Sequence, residues 1–303
     1  MSTAYTMEGN MKDYIILTDV ACDVMHHYVE EGKVHRIPME MVVNGEPYNY
    51  YDNEEGMTSK LFYQYVREKA PMSTAKISPM RWEEYFEKFA SQGLSLICIC
   101  LSTGLTDSYY SAETVAADLM KKYPGVEVLP IDSVGATGVE GLICERALEN
   151  KEKGMSVREN YDDLQQFKKK LWACAYVDNL DALQRGGRIS KAVAFVGGLL
   201  GIKPLIQFAP DGSLSMWEKQ RGYKASTNKL IEYYTKNGDL DPHNLVYITH
   251  ADQENYANEL AEKIKAVNPN CTIKIRMLSP IIGVHLGSGG MVLAFVGKEN
   301  RCK

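Results

Sequence analysis

Four short segments of this chain carry side chains suited to gripping a carboxylate or a phosphate. The first is Ile281-Ile282-Gly283-Val284-His285-Leu286-Gly287-Ser288-Gly289-Gly290, which sets a histidine between a β-type apolar run and a glycine-rich turn. An imidazole so placed can face a cleft and donate a hydrogen bond to a carboxylate. It reads equally well as a structural histidine satisfied by backbone groups. The second is Gln184-Arg185-Gly186-Gly187-Arg188-Ile189-Ser190. The paired glycines permit a tight turn and close approach of another group to the backbone. Arg188 then projects from the start of an element, either as a fork for an anion or as a surface arginine beside a capping turn. The third is Leu101-Ser102-Thr103-Gly104-Leu105-Thr106-Asp107-Ser108, where hydroxyls and free N–H groups at a helix start make an anion site. The same residue types are good helix caps. The fourth, Ser73-Thr74-Ala75-Lys76-Ile77-Ser78-Pro79, adds a further hydroxyl at Thr74 and a cation at Lys76.

Several familiar chemistries lack their signatures. The glycines after His285 run into a strand rather than a helix, which argues against a dinucleotide fold, and they lack the Lys-Ser/Thr ending of a phosphate-binding loop. No Gly-x-Ser-x-Gly elbow occurs. Asp19, Asp23, Asp132 and Asp178 are scattered without metal-ligand spacing. The seven cysteines include no Cys-x-x-Cys pair and no histidine at zinc spacing, so they read as free thiols in a reducing compartment. Cys98 and Cys100 alternate within an apolar run and read as strand residues or as a redox or metal pair.

These segments need elements to hold them. In the first half, apolar runs at Tyr14–Leu17, Leu96–Leu101 and Val126–Ile131 each end in small hydroxyl or carboxylate residues and precede helical patterns at Val24–Glu31, Ser108–Tyr123 and Val139–Lys153. A further helix is expected over Pro79–Ser91, with Trp82, Tyr85, Phe86 and Phe89 on one stripe. Continuous apolar strands alternating with helices predict a parallel sheet covered on both faces, whose carboxyl ends face a ligand. The second half mixes a hairpin, turned at Asp211-Gly212, with strand–helix–strand units, and is expected to be α+β. The predicted division is an N-terminal α/β domain over 11–154 and a C-terminal α+β domain over 155–303, with 1–10 a disordered leader.

Composition narrows the function classes. The chain has 303 residues, 45% hydrophobic and 24% charged, enough for a sizeable core with an apolar cavity inside it. A net charge of -5 provides no pervasive basic field for nucleic acid. The first ten residues lack the apolar core of a secretory signal, and the longest apolar stretch, Ala192–Ala209, is broken by Lys203, Pro204 and glycines, so no membrane insertion is expected.

Taken in order, the segments resemble the DegV family of bacterial fatty-acid-binding proteins, over about Met11 to Val296. Ile16-Leu17-Thr18-Asp19 with Asp23 is similar to the family's Asp-Ser-x-x-Asp opening, with Val20 in place of serine. The 73–79 segment stands where the family has Thr-Ser-Gln-Pro-Ser, and Leu101–Tyr109 where it has Leu-Ser-Ser-Gly-Leu-Ser-Gly-Thr-Tyr. Asp132-Ser133 with Gly138 and Gly141, Gly186-Gly187-Arg188-Ile189-Ser190, Leu200-x-Ile202-Lys203-Pro204, Asp211-Gly212, Lys219-x-Arg221-Gly222 and His285-Leu286-Gly287-Ser288-Gly289 also match.

The resemblance implies two α/β domains with a fatty acid in a tunnel between them. It implies that Thr74, Thr106 with its neighbours Ser102 and Thr103, and His285 hold the carboxylate, and that Arg188 lies by the head group or docks a partner. That partner would be a separate fatty acid kinase, which phosphorylates the bound acid to an acyl-phosphate. The chain is then expected to be a cytoplasmic, non-catalytic carrier in phospholipid metabolism, with the fatty acid as ligand and no other cofactor. Physical chemistry asks for the same design, since a buried tail gains about 0.8 kcal/mol per CH₂ while an unpaired buried carboxylate is costly. Tunnel liners are expected within Ala192–Ile206. Two other readings use the same pocket: a lipid-responsive interaction protein, and a transferase with His285 as acid or base.

Overall fold

A computed structural model describes residues 13–50, 57–190, 201–241 and 243–302. The expected leader and residues 192–200 of the expected tunnel lining lie outside the described residues.

The predicted parallel sheet is present. Strands β1 (Tyr14–Asp19), β2 (His35–Ile37), β6 (Ser95–Cys100) and β7 (Val128–Asp132) align in the order β2-β1-β6-β7, all parallel, with Ile16 opposite Ile97 and Ile97 opposite Leu129. Every residue of β6 is buried, as a strand covered on both faces requires. Helices α1 (His26–Glu30), α3 (Pro79–Ala90) and α4 (Ser108–Lys122) lie between these strands in the chain, and α5 (Gly138–Glu152) follows β7. In α3, Ser78 caps the start by accepting from Arg81 N–H at 3.3 Å, Pro79 occupies the first turn, and Trp82, Phe86 and Phe89 are buried. Helix α1 is shorter than predicted, because Val24 is buried in the preceding loop rather than in a helical turn.

A three-stranded antiparallel sheet, β4-β3-β5, was not expected. It comprises β3 (Met39–Val43), β4 (Glu46–Tyr50) and β5 (Met72–Thr74), with α2 (Ser59–Arg67) between the last two. Its hairpin turns at Asn44 and Gly45, both in the left-handed region (φ 53° and 86°), the conformation that Asn-Gly favours in two-residue hairpin loops.

All strands of the third sheet follow Lys170. It is six-stranded and mixed, in the order β10-β9-β8-β13-β11-β12. Its members are β8 (Leu171–Tyr176), β9 (Ile202–Phe208), β10 (Leu214–Arg221), β11 (Leu245–His250), β12 (Thr272–Met277) and β13 (Met291–Val296). The β9–β10 hairpin turns at Asp211-Gly212 as predicted. Helices α6 (Val157–Phe167), α7 (Asp181–Arg185), α8 (Gly222–Asn237), α9 (Glu254–Val267) and α10 (Pro280–Leu286) complete the chain.

Helix α5 joins the two large sheets. It is buried almost all round and packs against β1 and β6 on one side and β8, β11 and β13 on the other. Gly138 and Gly141 explain its closeness to β11: a Cβ on either would lie 2.6 or 3.0 Å from the Tyr247 side chain.

Helix α10 corrects the β-type reading of the run before His285. Ile281 and Val284 recur at helical spacing and are buried, and Pro280 opens the helix. Gly283 lets it lie against α2, because a Cβ there would meet the Phe62 ring at 2.5 Å.

Candidate functional site

Four elements converge on one polar wall. Thr74 ends β5, His285 sits in the last turn of α10, Arg188 follows α7 after the glycine pair, and Thr106 precedes α4. Thr74 Oγ1 and His285 Nε2 lie 2.8 Å apart, joining residues 211 positions apart in sequence. Gly186 makes room for the ring: a Cβ there would lie 2.5 Å from His285 Nδ1. This is the close approach that the glycine pair suggested. The backbone carbonyls of Leu105 and Gly186 accept from Arg188, the former at 3.2 Å from Nε, which ties the loop before α4 to the loop after α7. A guanidinium has five N–H donors, so the fork keeps donors for a ligand.

Electrostatics set the protonation of this wall. Burial, and then the neighbouring Arg188 charge, lower the His285 pKa to about 4. The imidazole is therefore neutral at pH 7 and carries one N–H. With that proton on Nε2, His285 donates to Thr74, and the Thr74 hydroxyl is free to donate onward to an anion. With it on Nδ1, Nε2 accepts from Thr74. The first arrangement holds an anion; the second holds only the wall together.

Behind the wall lies an apolar cavity of about 800 Å³ of atom-free space, part of it open to solvent. One side is the face of the six-stranded sheet, where Ala173 and Ala175 of β8, Ile206 and Phe208 of β9 and Val292 of β13 line it. The other side is formed by Leu101, Leu105 and Ala136, and Ile281, Ile282 and Leu286 of α10 close it. The room comes from small residues: alanines stand at 136, 173 and 175 where bulkier side chains would fill the space. Of the segment expected to supply the lining, Ile206 does so; most other liners lie outside it. Thr74, Lys76, Thr106, Arg188 and His285 supply polar groups, and Thr137 and Gln207 also line the cavity.

Ser102 and Thr103 are engaged elsewhere. Ser102 is fully buried; its Oγ donates to the Gly212 carbonyl at 3.0 Å and accepts from Gly104 N–H at 3.1 Å. Thr103 Oγ1 donates to Asp132 Oδ2 at 2.6 Å. A Cβ on Gly104 or Gly212 would strike the other loop at 2.3 or 2.0 Å, so these two motifs form a packed lock between the first sheet's loop and the β9–β10 hairpin. Thr106 remains on the cavity, and its Oγ1 accepts from Ser108 N–H at 3.3 Å, leaving its own O–H to donate.

Asp23, read from the sequence as part of an opening motif and as one of the scattered acids, reaches the site through α10. Its Oδ1 accepts from the N–H of Ser279, the residue that opens the His285 helix, at 3.0 Å. Burial raises its pKa to about 7 against the opposing charges of Arg276 and Arg36. Among the described residues, no group of three or more histidine, cysteine or acidic side chains is placed to hold a metal, and no helix is long and apolar enough to cross a membrane. All seven thiols are unpaired, and six are buried, Cys98 and Cys100 among them.

The sequence matches the DegV family, described as uncharacterised proteins, over residues 14–298. A DegV domain-containing protein of Clostridium perfringens is 32% identical over 95% of this chain and 98% of its own. A crystal structure from Bacillus subtilis, described as DegV, a fatty acid binding protein, is 26% identical with a TM-score of 0.80, covering 95% of this chain and all of that one. A DegV family structure from Ruminococcus gnavus, solved with vaccenic acid, is 20% identical and shares the fold with a TM-score of 0.84, covering 93% and 99% of the two chains.

Proposed function

This chain belongs to the DegV family, and from that premise we propose that it binds a long-chain fatty acid and presents it to a separate fatty acid kinase. The tail lies in the apolar cavity and the carboxylate meets Thr74, Thr106 and His285. The observation that supports the reading is the Thr74–His285 pair, 2.8 Å apart, at one side of a cavity lined mostly by apolar side chains. Each methylene transferred from water contributes about 0.8 kcal/mol, and hydroxyl and N–H donors offset the desolvation of the carboxylate. Since His285 is neutral, positive charge comes from Arg188 and Lys76. The description of the Bacillus subtilis relative as a fatty acid binding protein supports the same ligand.

In this reading the protein is a non-catalytic carrier in the cytoplasm, and the kinase supplies the nucleotide site and the phosphoryl transfer. The purified protein, extracted with organic solvent, is expected to yield a co-purifying long-chain fatty acid by mass spectrometry. If none is found, and none binds on addition, the reading is wrong. Incubated with ATP and oleate, the chain is expected to make acyl-phosphate only when a fatty acid kinase is added; product formed by the chain alone would refute the non-catalytic role.

A further inference from the structure

One polar group on the apolar cavity lies away from its polar wall. Thr137 lines the cavity, is 3% exposed, and stands at the start of α5. Its backbone has φ 57° and ψ −120°, a conformation in which a β-branched residue is strained. A glycine would hold this backbone without strain, so what threonine adds is its side chain.

The register of the six-stranded sheet locates that side chain. Thr249 of β11 stands opposite Val292 of β13, Val292 opposite Ala175 of β8, and Ala175 opposite Ile206 of β9. Side chains in one cross-strand row share a face of the sheet. Val292, Ala175 and Ile206 line the cavity, so Thr249 faces the same side, one strand beyond them. Its Oγ1 donates to Thr137 Oγ1 at 3.5 Å, which sets the Thr137 hydroxyl level with this row. The Thr137 N–H is held separately by Glu140 Oε2, at 3.1 Å. The Thr137 oxygen accepts, and its own proton has no acceptor among the described residues. Gln207 differs. Ile206 and Phe208 on either side of it pack into the core around the cavity, so its side chain takes the other face of β9, where its Oε1 accepts from Tyr233 at 3.0 Å.

The hydroxyl is beside the tail, not the head group. The Thr137 carbonyl accepts from Asp23 N–H at 3.4 Å, and Asp23 holds Ser279 at the start of α10. Ser279 and His285 are six residues apart on that helix, about 9 Å along its axis. A saturated chain passing Thr137 leaves a desolvated donor unpaired, which is costly, whereas an oxygen on the chain accepts from it.

We propose that Thr137 is a specificity-determining residue that selects an acyl chain oxygenated at a mid-chain carbon, a hydroxy or oxo fatty acid, whose chain oxygen accepts from the Thr137 hydroxyl. The inference rests on the fatty-acid reading above and names the class of acid within it. The carboxylate stays at the Thr74–His285 wall.

The experiment compares stearate with a panel of hydroxystearates bearing the hydroxyl at successive mid-chain carbons, each displacing a fluorescent fatty acid from delipidated protein. Wild-type affinity is expected to peak at one positional isomer. Thr137→Val keeps the branched shape and removes the donor, and is expected to weaken that isomer about fivefold, the worth of one hydrogen bond, while stearate changes less than about twofold. Thr137→Ser restores the donor and is expected to restore the peak. A wild-type profile with no peak, a peak unchanged in Thr137→Val, or an equal loss for stearate and the peak isomer would overturn the inference and leave the fatty-acid reading standing. The wild-type profile decides even if Thr137→Val does not fold. A wild-type protein that binds neither stearate nor any hydroxystearate overturns both.

Discussion

The Thr74–His285 pair works as one unit, because each side chain is the other's hydrogen-bond partner at 2.8 Å. His285→Ala and Thr74→Val are each expected to weaken fatty-acid binding by about 1–3 kcal/mol. Combining them should cost less than the sum, since the second change removes a group already deprived of its partner. Displacement titrations on the two single variants and the double variant measure that coupling. His285 also gives the protein an acid-side pH dependence. Its folded pKa is lowered to about 4 from an ordinary 6.5, so the unfolded chain takes up this proton first. Its contribution to stability is fully present above pH 6.5 and is lost as pH falls toward 4. Asp23 has the opposite sign. Its pKa is raised to about 7 from 3.8, so its contribution is present below pH 3.8 and is lost as pH rises through 7. Asp23→Asn is therefore expected to raise the melting temperature at pH 8 more than at pH 5, read from thermal melts at both pH values. An equal effect at both would remove the ionised carboxylate from the account.

At the scale of elements, glycines decide how closely the parts approach. Gly186 has an ordinary helical backbone, and alanine there meets chiefly the His285 ring, at 2.5 Å, with the Ala182 carbonyl oxygen at 3.3 Å. Gly186→Ala is expected to displace that ring and weaken fatty-acid binding, while in a His285→Ala background it should have little further effect. The sequence made this relation half legible. A glycine pair beside an arginine suggested close approach, but which side chain approaches depends on two elements a hundred residues apart. The hydroxyls at 102 and 103 show the same limit. Three donors within one short loop looked alike as a sequence, and side-chain direction then separated Thr106, on the cavity, from Ser102 and Thr103, which hold Gly212 and Asp132. The β3–β4 hairpin carried a readable Asn44-Gly45 signal after the apolar run Met41-Val42-Val43. Helix α10 was hard to read for a different reason: a seven-residue helix rich in isoleucine and valine has little length in which periodicity can separate it from a strand.

Across the whole molecule, the cavity exists because two sheets share α5 and leave small residues between them. Long apolar runs made the parallel sheet legible, since a strand buried on both faces has no polar alternation. Alanines at 136, 173 and 175 gave no such signal, because a small buried residue reads as core wherever the space beside it is filled. Ala175→Phe is expected to fill part of the cavity and shift preference toward shorter acids, seen by competing laurate against stearate; an unchanged preference would move the tail elsewhere. The central claim is that a fatty-acid carboxylate rests at the Thr74–His285 wall. Carbon-13 NMR of carboxyl-labelled palmitate bound to the delipidated protein tests it most directly. The expected result is one bound carboxyl resonance that is displaced in both His285→Ala and Thr74→Val. A bound resonance unmoved in both variants, or no bound resonance at all, would contradict the account.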